Sequence, residues 1–319
     1  MNPLRPPLVC LSVLILGGCS PKPPITVPDT PPSQATGITP PLGIGTPVAS
    51  AQDGAPSKRP NVPAVPLHAD EAHDNSVEFV QRERGKVIRD EKLPDNPVVE
   101  VYLFSSVVTD ESLKELSGLK SLTTLTLICE NVTDAGLKEL ATFKSLTTLN
   151  LRSTWVDGTG LKELVMLKNL VSLNLADTRV TDIGMKELAG LNSLRSLNLS
   201  GTKITRAGLK ELAALKNITV LDLSYNTVTD GSMREIASLS KVTHLTLNHT
   251  TVTDTGMREL ASLKDLAFLD LCKTDVTDAG LKELATLKNL AHLELSTFRY
   301  TNENIEQLQR ALPKCEIVQ

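Results

Sequence analysis

Residues 170–188 read LVSLNLADTRVTDIGMKEL, and the spacing of the apolar residues changes halfway along this stretch. Leu173 and Leu175 alternate with polar residues, which is typical of a short strand with one buried face. Met185 and Leu188 are three positions apart, which is the spacing of one face of a helix. The stretch therefore predicts one short strand followed by one short helix.

A valine-threonine-aspartate phrase from this stretch returns with a constant 24-residue period, without an insertion or a deletion. A period of this length predicts a solenoid, since one unit cannot bury its own apolar face and must stack on its neighbours. We predict that the Thr-Asp pair caps the helix that follows it, because short side-chain oxygens accept hydrogen bonds from first-turn amides. The copies, some of them shortened or changed at one position, are Thr109-Asp110, Val132-Thr133-Asp134, Val156-Asp157, Val180-Thr181-Asp182, Ile204-Thr205, Val228-Thr229-Asp230, Val252-Thr253-Asp254 and Val276-Thr277-Asp278.

The stacking distances of the two kinds of element predict the curvature. Neighbouring strands lie about 4.8 Å apart, whereas packed helices need about 8–10 Å. The array must therefore bend into an arc. The predicted fold class is an α/β solenoid with a parallel β-sheet on its concave face and short α-helices on its convex face.

The motif L-x-x-L-x-L-x-x-T-x-V-T-D-x-G-L-K-E-L, as at 170–188, resembles the leucine-rich repeat of the strand-plus-helix type. It is similar to the ribonuclease-inhibitor-like and cysteine-containing subfamilies, although Thr takes the place of the subfamily's turn Cys. It is most like the 24-residue "VTDAGLKEL" arrays of bacterial, particularly planctomycete, proteins. The resemblance covers about eight units at 98–303 and implies a horseshoe-shaped repeat domain. A helix and a strand on each side predict an N-terminal cap at 67–97 and a C-terminal cap at 304–319.

The segment at 1–66 predicts export and tethering. Arg5 precedes an apolar stretch from Leu8 to Leu16 that is too short to span a bilayer, so 1–18 is interpreted as a signal peptide. Leu16-Gly17-Gly18-Cys19 resembles a bacterial lipobox, which implies a lipid on Cys19; secretion without a lipid is the alternative. The Pro-rich segment within 19–66 is predicted to be a disordered linker. We therefore expect a membrane-anchored lipoprotein of the bacterial cell envelope, facing the periplasm or the surface.

Charge and motifs argue against several functional classes. The formal net charge of −4 and the pI near 5.8 do not suit a nucleic-acid partner, which requires a concentrated basic surface. The sequence contains no Ser-His-Asp set, phosphate-binding glycine loop or zinc-ligand spacing. We therefore predict no catalytic residues, no metal and no cofactor, and expect a protein that is not an enzyme.

The predicted concave face divides into two halves. In the N-terminal half its residues are small and uncharged: Thr124, Thr126, Thr148, Asn150, Ser172, Asn174, Ser196 and Asn198. In the C-terminal half they become aromatic and charged, a composition typical of interaction hot spots. The candidate binding residues are Asp222, Tyr225, His244, His249, Phe268, Asp270, Lys273, His292 and Glu294.

These residues predict a binding scaffold, expected to be monomeric, for an unidentified protein or glycan. One alternative is a structural envelope component that self-associates, with the concave cluster arising by drift at exposed positions. A metal or hydrolytic site made of His244, His292, Asp270 and Glu294 is a more distant alternative, because the two histidines should lie two strands apart on either side of Phe268.

Overall fold

The computed structural model describes residues 69–319. The predicted signal peptide at 1–18, the lipid site at Cys19 and the linker at 19–66 lie outside the described residues. Within the described residues, no helix is both long enough and apolar enough to cross a membrane.

Eleven strands of the described part form a single open sheet, and their order in the sheet is their order in the chain. Strand β1 pairs with β2 in the antiparallel direction, and every later pair is parallel. The predicted solenoid with a parallel sheet is therefore confirmed. The strands are β1 (Lys86–Arg89), β2 (Val98–Leu103), β3 (Thr124–Leu127), β4 (Thr148–Asn150), β5 (Ser172–Asn174), β6 (Ser196–Asn198), β7 (Val220–Asp222), β8 (His244–Thr246), β9 (Phe268–Asp270), β10 (His292–Glu294) and β11 (Glu316–Val318).

Short helices connect the strands, and some of them are 3₁₀ rather than α. The α-helices are α1 (Ala69–Arg82), α2 (Leu137–Leu140), α3 (Asp182–Leu188), α4 (Arg206–Glu211), α5 (Asp230–Ala237), α6 (Asp254–Leu260), α7 (Asp278–Leu284) and α8 (Asn302–Ala311). The 3₁₀ segments are Ser112–Gly118, Asp134–Gly136, Leu161–Met166 and Leu212–Ala214. The predicted alternation of strands and short helices is confirmed, with a 3₁₀ helix in place of the α-helix in some units. A segment of one or two turns is short enough for the tighter 3₁₀ bonding pattern to replace the α pattern.

The 24-residue period of the sequence matches the register of the sheet, because residues 24 positions apart pair on neighbouring strands. Leu149 on β4 pairs with Leu173 on β5, and the same offset relates every neighbouring pair from β2 to β11. The central strand leucines are at most 1% exposed and stack into one continuous core. Val101 on β2 and Ile317 on β11 keep the same offset, so the first parallel strand and the last strand also continue the repeat register.

The two ends of this core are covered by less regular elements. At the N-terminal end, α1 buries Phe79 and Val80 against the first unit. Ser76 fixes this contact, because its hydroxyl donates to the Glu115 carbonyl and accepts from the Gly118 amide at 3.1 Å. At the C-terminal end, α8 buries Leu308 and is followed by β11.

The Thr-Asp pair acts within a unit and also between units. Threonine caps its own helix in several units, as predicted; Thr277, for example, accepts from the Ala279 amide at 3.3 Å. The aspartate instead reaches forward to the next unit. The Asp254 carboxylate accepts from the Thr277 amide at 2.7 Å, the Thr277 hydroxyl at 2.7 Å and the Gly280 amide at 3.0 Å. Stacking brings these unsatisfied first-turn donors within its reach.

We call this series of contacts the aspartate ladder. Its members, which accept hydrogen bonds from the following unit, are Asp110, Asp134, Asp182, Asp230, Asp254 and Asp278. The repeated glycine makes room for it: a Cβ on Gly256 would lie 2.7 Å from an Asp230 oxygen, and one on Gly280 would lie 2.5 Å from an Asp254 oxygen. These glycines therefore allow close approach between neighbouring units.

The ladder is broken at two positions in the N-terminal half. At the first of these positions Gly158 stands in place of the aspartate, and its φ is +110°. Gly158 packs directly on Gly184, because a Cβ on Gly184 would lie 2.7 Å from the Gly158 α-carbon. The threonine that follows, Thr181, makes no side-chain capping bond.

Arg206 replaces the second missing aspartate and makes a different contact with the next unit. Its guanidinium donates to one Glu235 oxygen at 3.1 and 3.0 Å. With no carboxylate approaching from Arg206, the glycine position of the next unit is occupied by Ser232, which is 1% exposed. Thr229, like Thr181, lacks a side-chain capping bond.

Candidate functional site

The nine predicted binding residues lie in three rows across the C-terminal half of the concave face, and we call this set the C-terminal face. The first row holds the first residue of each strand: His244, Phe268 and His292. The second row holds the last strand residue: Asp222, Asp270 and Glu294. The third row holds the third residue after the strand: Tyr225, His249 and Lys273. The repeat register therefore brings all nine residues onto one surface.

Aromatic rings stack along the first row. The Phe268 ring lies between two imidazoles, with its centroid 5.9 Å from that of His244 and 5.2 Å from that of His292. The ring planes differ by only 15° and 4°. Both faces of Phe268 are thus covered by histidine, and the row directs ring edges toward solvent.

The third row has a special backbone conformation. Tyr225, His249 and Lys273 have φ of 57°, 55° and 54°, in the left-handed region. This conformation directs the amide toward the next unit, so that Tyr225 N donates to the Asn248 carbonyl at 2.9 Å. Glycine adopts it at the lowest cost, and Gly201 occupies the same position one unit earlier. The large side chains of this row are therefore not required by the turn.

The third row also contains a stacked pair. The rings of Tyr225 and His249 lie 4.2 Å apart, 19° from parallel. Burial lowers the pKa of His249, and the nearby Lys273 ammonium lowers it further. Burial likewise lowers the pKa of His244 in the first row. Both imidazoles are consequently neutral at pH 7.

The second row has a structural role that sequence reasoning missed. The side-chain oxygens of Asn150, Asn174 and Asn198 accept hydrogen bonds from the amide two residues later, at 2.8–3.0 Å. Asp222 and Asp270 make the same bond, to the amides of Ser224 and Cys272 at 3.0 and 2.8 Å. This turn requires an acceptor oxygen but no charge, because the uncharged asparagines form it equally well.

Asp270 is the most perturbed acid of the second row. It is 3% exposed, and its pKa is raised to about 6, mainly by burial and also by the nearby charges of Glu294 and Asp222, although the hydrogen bonds from Cys272 and Asn248 lower it. Register places Asp270 directly beside Glu294 on β10. One oxygen of each carboxylate lies within 4.8 Å of the other.

Two neighbours of the site were not among the predicted residues. Asn248 donates from its side-chain nitrogen to Asp270 at 3.2 Å, and its own side-chain oxygen is buried without a hydrogen-bond partner among the described residues. Glu316 on β11 lies 3.2 Å from Nδ1 of His292. Glu316 occupies the position of His292 one unit later, so extending the repeat into the C-terminal cap would have identified it.

The structure does not support the four-residue metal alternative. Phe268 stands between His244 and His292, so their imidazoles do not converge on one point. His292 instead contacts carboxylates, with Nε2 at 3.3 Å from Glu294. The sulfur of Cys272 lies within 4.8 Å of oxygens of Asp270 and Glu294. Cys272 already has an interaction partner, however, and we assign no metal to this group.

The chain is similar to known repeat proteins. A family model described as "Leucine-rich repeat region" matches residues 157–317, and one described as "Leucine Rich repeat" matches residues 144–165. An internalin C2 structure from Listeria monocytogenes is 29% identical with a TM-score of 0.51, covering 62% of this chain and 81% of that chain. Another internalin structure from Listeria monocytogenes is 16% identical with a TM-score of 0.37, covering 77% of this chain and 94% of that one. No curated protein matches this chain.

Proposed function

Because the family match covers half of its length, this chain belongs to the leucine-rich repeat proteins, and we propose that it is a non-enzymatic scaffold that binds a protein through its C-terminal face. A protein-binding scaffold is the general role suggested by this family and by the internalin-like neighbour. The location of the binding surface is our own inference and rests on the side chains of the concave face.

The observation that carries the proposal is the difference between the two halves of one face. Strands β4 to β6 display Thr148, Ser172 and Ser196 in the first row, on the same backbone that displays His244, Phe268 and His292 later. A few large side chains, aromatic ones prominent among them, supply most of the binding energy in protein interfaces. Because the backbone does not dictate these residues, a partner is the simplest reason for their concentration.

The ring arrangement favours a protein over a glycan. A sugar packs against the open face of an aromatic ring, whereas both faces of Phe268 are covered by histidines. The ring edges that remain suit the mixed apolar and polar contacts of a protein surface. The acidic second row adds charge selectivity to this contact.

We test the proposal by capture of partners from cell-envelope extract with the full chain. One variant carries Tyr225→Ala, His249→Ala and Phe268→Ala. A matched control carries Thr148→Ala, Ser172→Ala and Ser196→Ala on the other half of the face. We expect a protein retained by the parent and the control and lost by the first variant. A partner retained by both variants, or a glycan partner, contradicts the proposal, and self-association of the parent supports the structural alternative.

We further propose that the protein is exported and held on the bacterial envelope by a lipid on Cys19. The apolar stretch from Leu8 to Leu16 and the small residues before Cys19 support this proposal. Tethering would raise the effective concentration for a partner in the same envelope. Cys19→Ala should move the protein from the membrane fraction to the soluble fraction and abolish labelling by a fatty acid. Unchanged fractionation of the variant would argue against the anchor.

A further inference from the structure

Four apolar side chains lie in the turns after β2, β3 and β4, and we call them the turn patch. They are Phe104, Val107, Ile128 and Trp155. Phe104 is 62% exposed, Val107 is 71% exposed and Trp155 is 48% exposed, whereas Ile128 is partly buried. Because the three strands are parallel neighbours, the turns that follow them lie at the same edge of the sheet.

The repeat register brings the four side chains together. Val107 and Trp155 occupy the same position in units two apart, which places their backbones about 10 Å from each other. Asn131 holds this position in the unit between them. Phe104 and Ile128 share another position, directly after the paired strands β2 and β3. Exposed apolar side chains that are grouped in this way mark an interaction surface, whereas single ones do not.

The turns themselves do not require apolar residues at these positions. In all later units, the position of Val107 and Trp155 is held by a polar or charged residue. These residues are Arg179, Lys203, Thr227, Thr251, Asp275 and Arg299. The same turn therefore forms with polar side chains, and the fold does not explain the apolar ones at the start of the array.

A basic side chain completes the patch. The Arg179 guanidinium lies over the Trp155 ring, 4.3 Å from its centroid. Tryptophan rings settle at the headgroup level of a bilayer, where one end of the ring is in apolar surroundings and the other is wet. A guanidinium binds phosphate oxygens through its planar set of donors. The combination suits the surface of a phospholipid bilayer.

The segment that leads to the proposed lipid anchor joins the solenoid at the same end. Residues 19–68 precede α1, which begins at Ala69 and covers the first unit with Phe79 and Val80. Gly85, shortly after α1, packs against Leu103, because a Cβ there would lie 2.7 Å from the Leu103 side chain. Leu103 directly precedes Phe104 of the turn patch. A lipid on Cys19 would thus bring a bilayer within reach of this patch.

We propose that the turn patch enters the headgroup layer of a phospholipid bilayer; the inference rests on the proposed lipid anchor and goes beyond it. Entry removes the exposed apolar side chains from water, which favours binding. Tethering makes this contact intramolecular, so a weak interaction suffices. The first units then lie on the membrane, and the C-terminal face lies several units farther along the array.

A protein is the competing occupant, since tryptophan and arginine are also common in protein hot spots. A protein partner, however, must offer a hollow that matches each protruding side chain. The fluid headgroup layer admits exposed side chains without such a hollow, and the anchor supplies a bilayer at this end of the array. We therefore argue for lipid and make a protein an outcome of the test.

The test uses the fluorescence of Trp155, the only tryptophan in the chain. The full-length protein is mixed with phosphatidylcholine vesicles, and brominated phosphatidylcholine serves as the quencher. One variant carries Phe104→Asp and Val107→Asp. The matched control carries Thr227→Asp and Thr251→Asp, which adds the same charge at exposed turn positions of later units. Thermal unfolding of each protein checks that it is folded.

We expect vesicles to shift the Trp155 emission of the parent and of the control to shorter wavelength, and brominated lipid to quench it. The variant should lose most of the shift and of the quenching, because two aspartates would have to enter the bilayer surface. Binding through residues 1–68 alone would leave the emission unchanged. Unchanged emission in the parent, or equal quenching in the variant and the parent, would overturn the inference.

A second readout separates lipid from protein as the occupant. A photo-reactive amino acid at position 107 should form adducts with lipid in the cell. Adducts with a protein alone, together with no quenching of Trp155 by brominated lipid, would assign the turn patch to a protein partner and overturn the proposal.

The inference and the proposed anchor fail in different experiments. If the parent carries no fatty acid while brominated lipid still quenches Trp155, the anchor is wrong and the turn patch stands. If the parent carries a fatty acid on Cys19 while Trp155 is not quenched, the anchor stands and the turn patch assignment is wrong.

Discussion

The two halves of the solenoid have the same backbone but differ in coupling and in surface. In the C-terminal half, the aspartate ladder runs without a break from Asp230 to Thr301. In the N-terminal half it is interrupted at Gly158 and at Arg206. The half with the unbroken ladder also carries the aromatic and acidic rows, whereas the other half displays small side chains on its first row.

This difference shows that different residues of each repeat unit join the units together and form the concave surface. Hydrogen bonds between units hold β8 to β10 in register from the helix side, so the rings and carboxylates on the opposite side are presented on a firmly supported sheet. Binding to a preorganised surface loses less conformational entropy on association. We infer that the residues of the ladder are determined by the fold, and that the three rows are determined by the partner.

The largest expected effect comes from a substitution that disrupts the aspartate ladder in the C-terminal half. Gly256→Ala places a methyl group 2.7 Å from an Asp230 oxygen and 2.8 Å from Met233. We expect it to lower the free energy of unfolding by up to about 3 kcal/mol, because overpacking forces neighbouring atoms apart. Urea unfolding at pH 7 measures this change.

The matched control puts alanine at the same repeat position beyond the ladder break. Ser232 is buried, and its hydroxyl has no hydrogen-bond partner in the part of the chain from 69 to 319. Ser232→Ala should therefore change the free energy of unfolding by less than about 1 kcal/mol. Equal destabilisation by the two alanines would contradict the role assigned to the aspartate ladder.

The next largest effect is an increase in the free energy of unfolding, and it comes from a substitution on the C-terminal face. The pKa of Asp270 is raised in the folded protein to about 6 from an ordinary value of 3.8. The folded state therefore binds the proton more tightly, and stability is lost as the pH rises from about 4 to about 6 and stays lower above that. Asp270→Asn should raise the free energy of unfolding by about 2–3 kcal/mol at pH 7, which is the free energy of the pKa shift.

The pH dependence separates this account from a simple packing effect. Below about pH 3, Asp270 is mostly protonated in both states, so the parent and Asp270→Asn should have nearly the same stability. Urea unfolding of both proteins at pH 7 and at about pH 3 provides the comparison. A stability gain that is equal at the two pH values, or a loss at pH 7, would contradict an uncompensated charge at this position.

A smaller effect is expected from one link of the ladder. Asp254 accepts three hydrogen bonds from Thr277 and Gly280. Asp254→Asn leaves one acceptor oxygen, so it should lower the free energy of unfolding by about 1–2 kcal/mol. Chemical denaturation checks this value, and hydrogen exchange should show faster exchange at the Gly280 amide. No change in either measurement would mean that the carboxylate is replaceable.

The smallest effect is expected on the first row of the N-terminal half. Thr148→Ala, Ser172→Ala and Ser196→Ala together remove only small side chains from a partly exposed surface. We expect a change in the free energy of unfolding of less than about 1 kcal/mol and no loss of the captured partner. A loss of binding here would remove the distinction between the two halves.

Much of the fold could be predicted from the sequence because one period determines it. The leucines at strand spacing and the Thr-Asp pair at the helix start recur once in each repeat unit, and that offset is the sheet register itself. The forward reach of Asp254 could not be predicted in this way. Its donors at Thr277 and Gly280 belong to the next unit, and only stacking shows which of that unit's groups are within reach.

The candidate site could be predicted less completely. Alternation along the strands placed His244, Phe268 and His292 on one face, but it could not show that their rings stack with their edges outward. The second-row acids were interpreted as surface charges, although Asp270 is buried and holds a turn. Side-chain direction and burial depend on neighbouring units, which a single strand pattern does not contain.

The most direct test of the central claim, that the C-terminal face contacts the partner, is site-specific photo-cross-linking in the native cell. A photo-reactive amino acid is placed at position 268 in one full-length protein and at position 172 in another, which are the same repeat position in the two halves. We predict a covalent adduct with one protein from position 268 and none from position 172. An adduct from position 172 with none from position 268 would contradict the account.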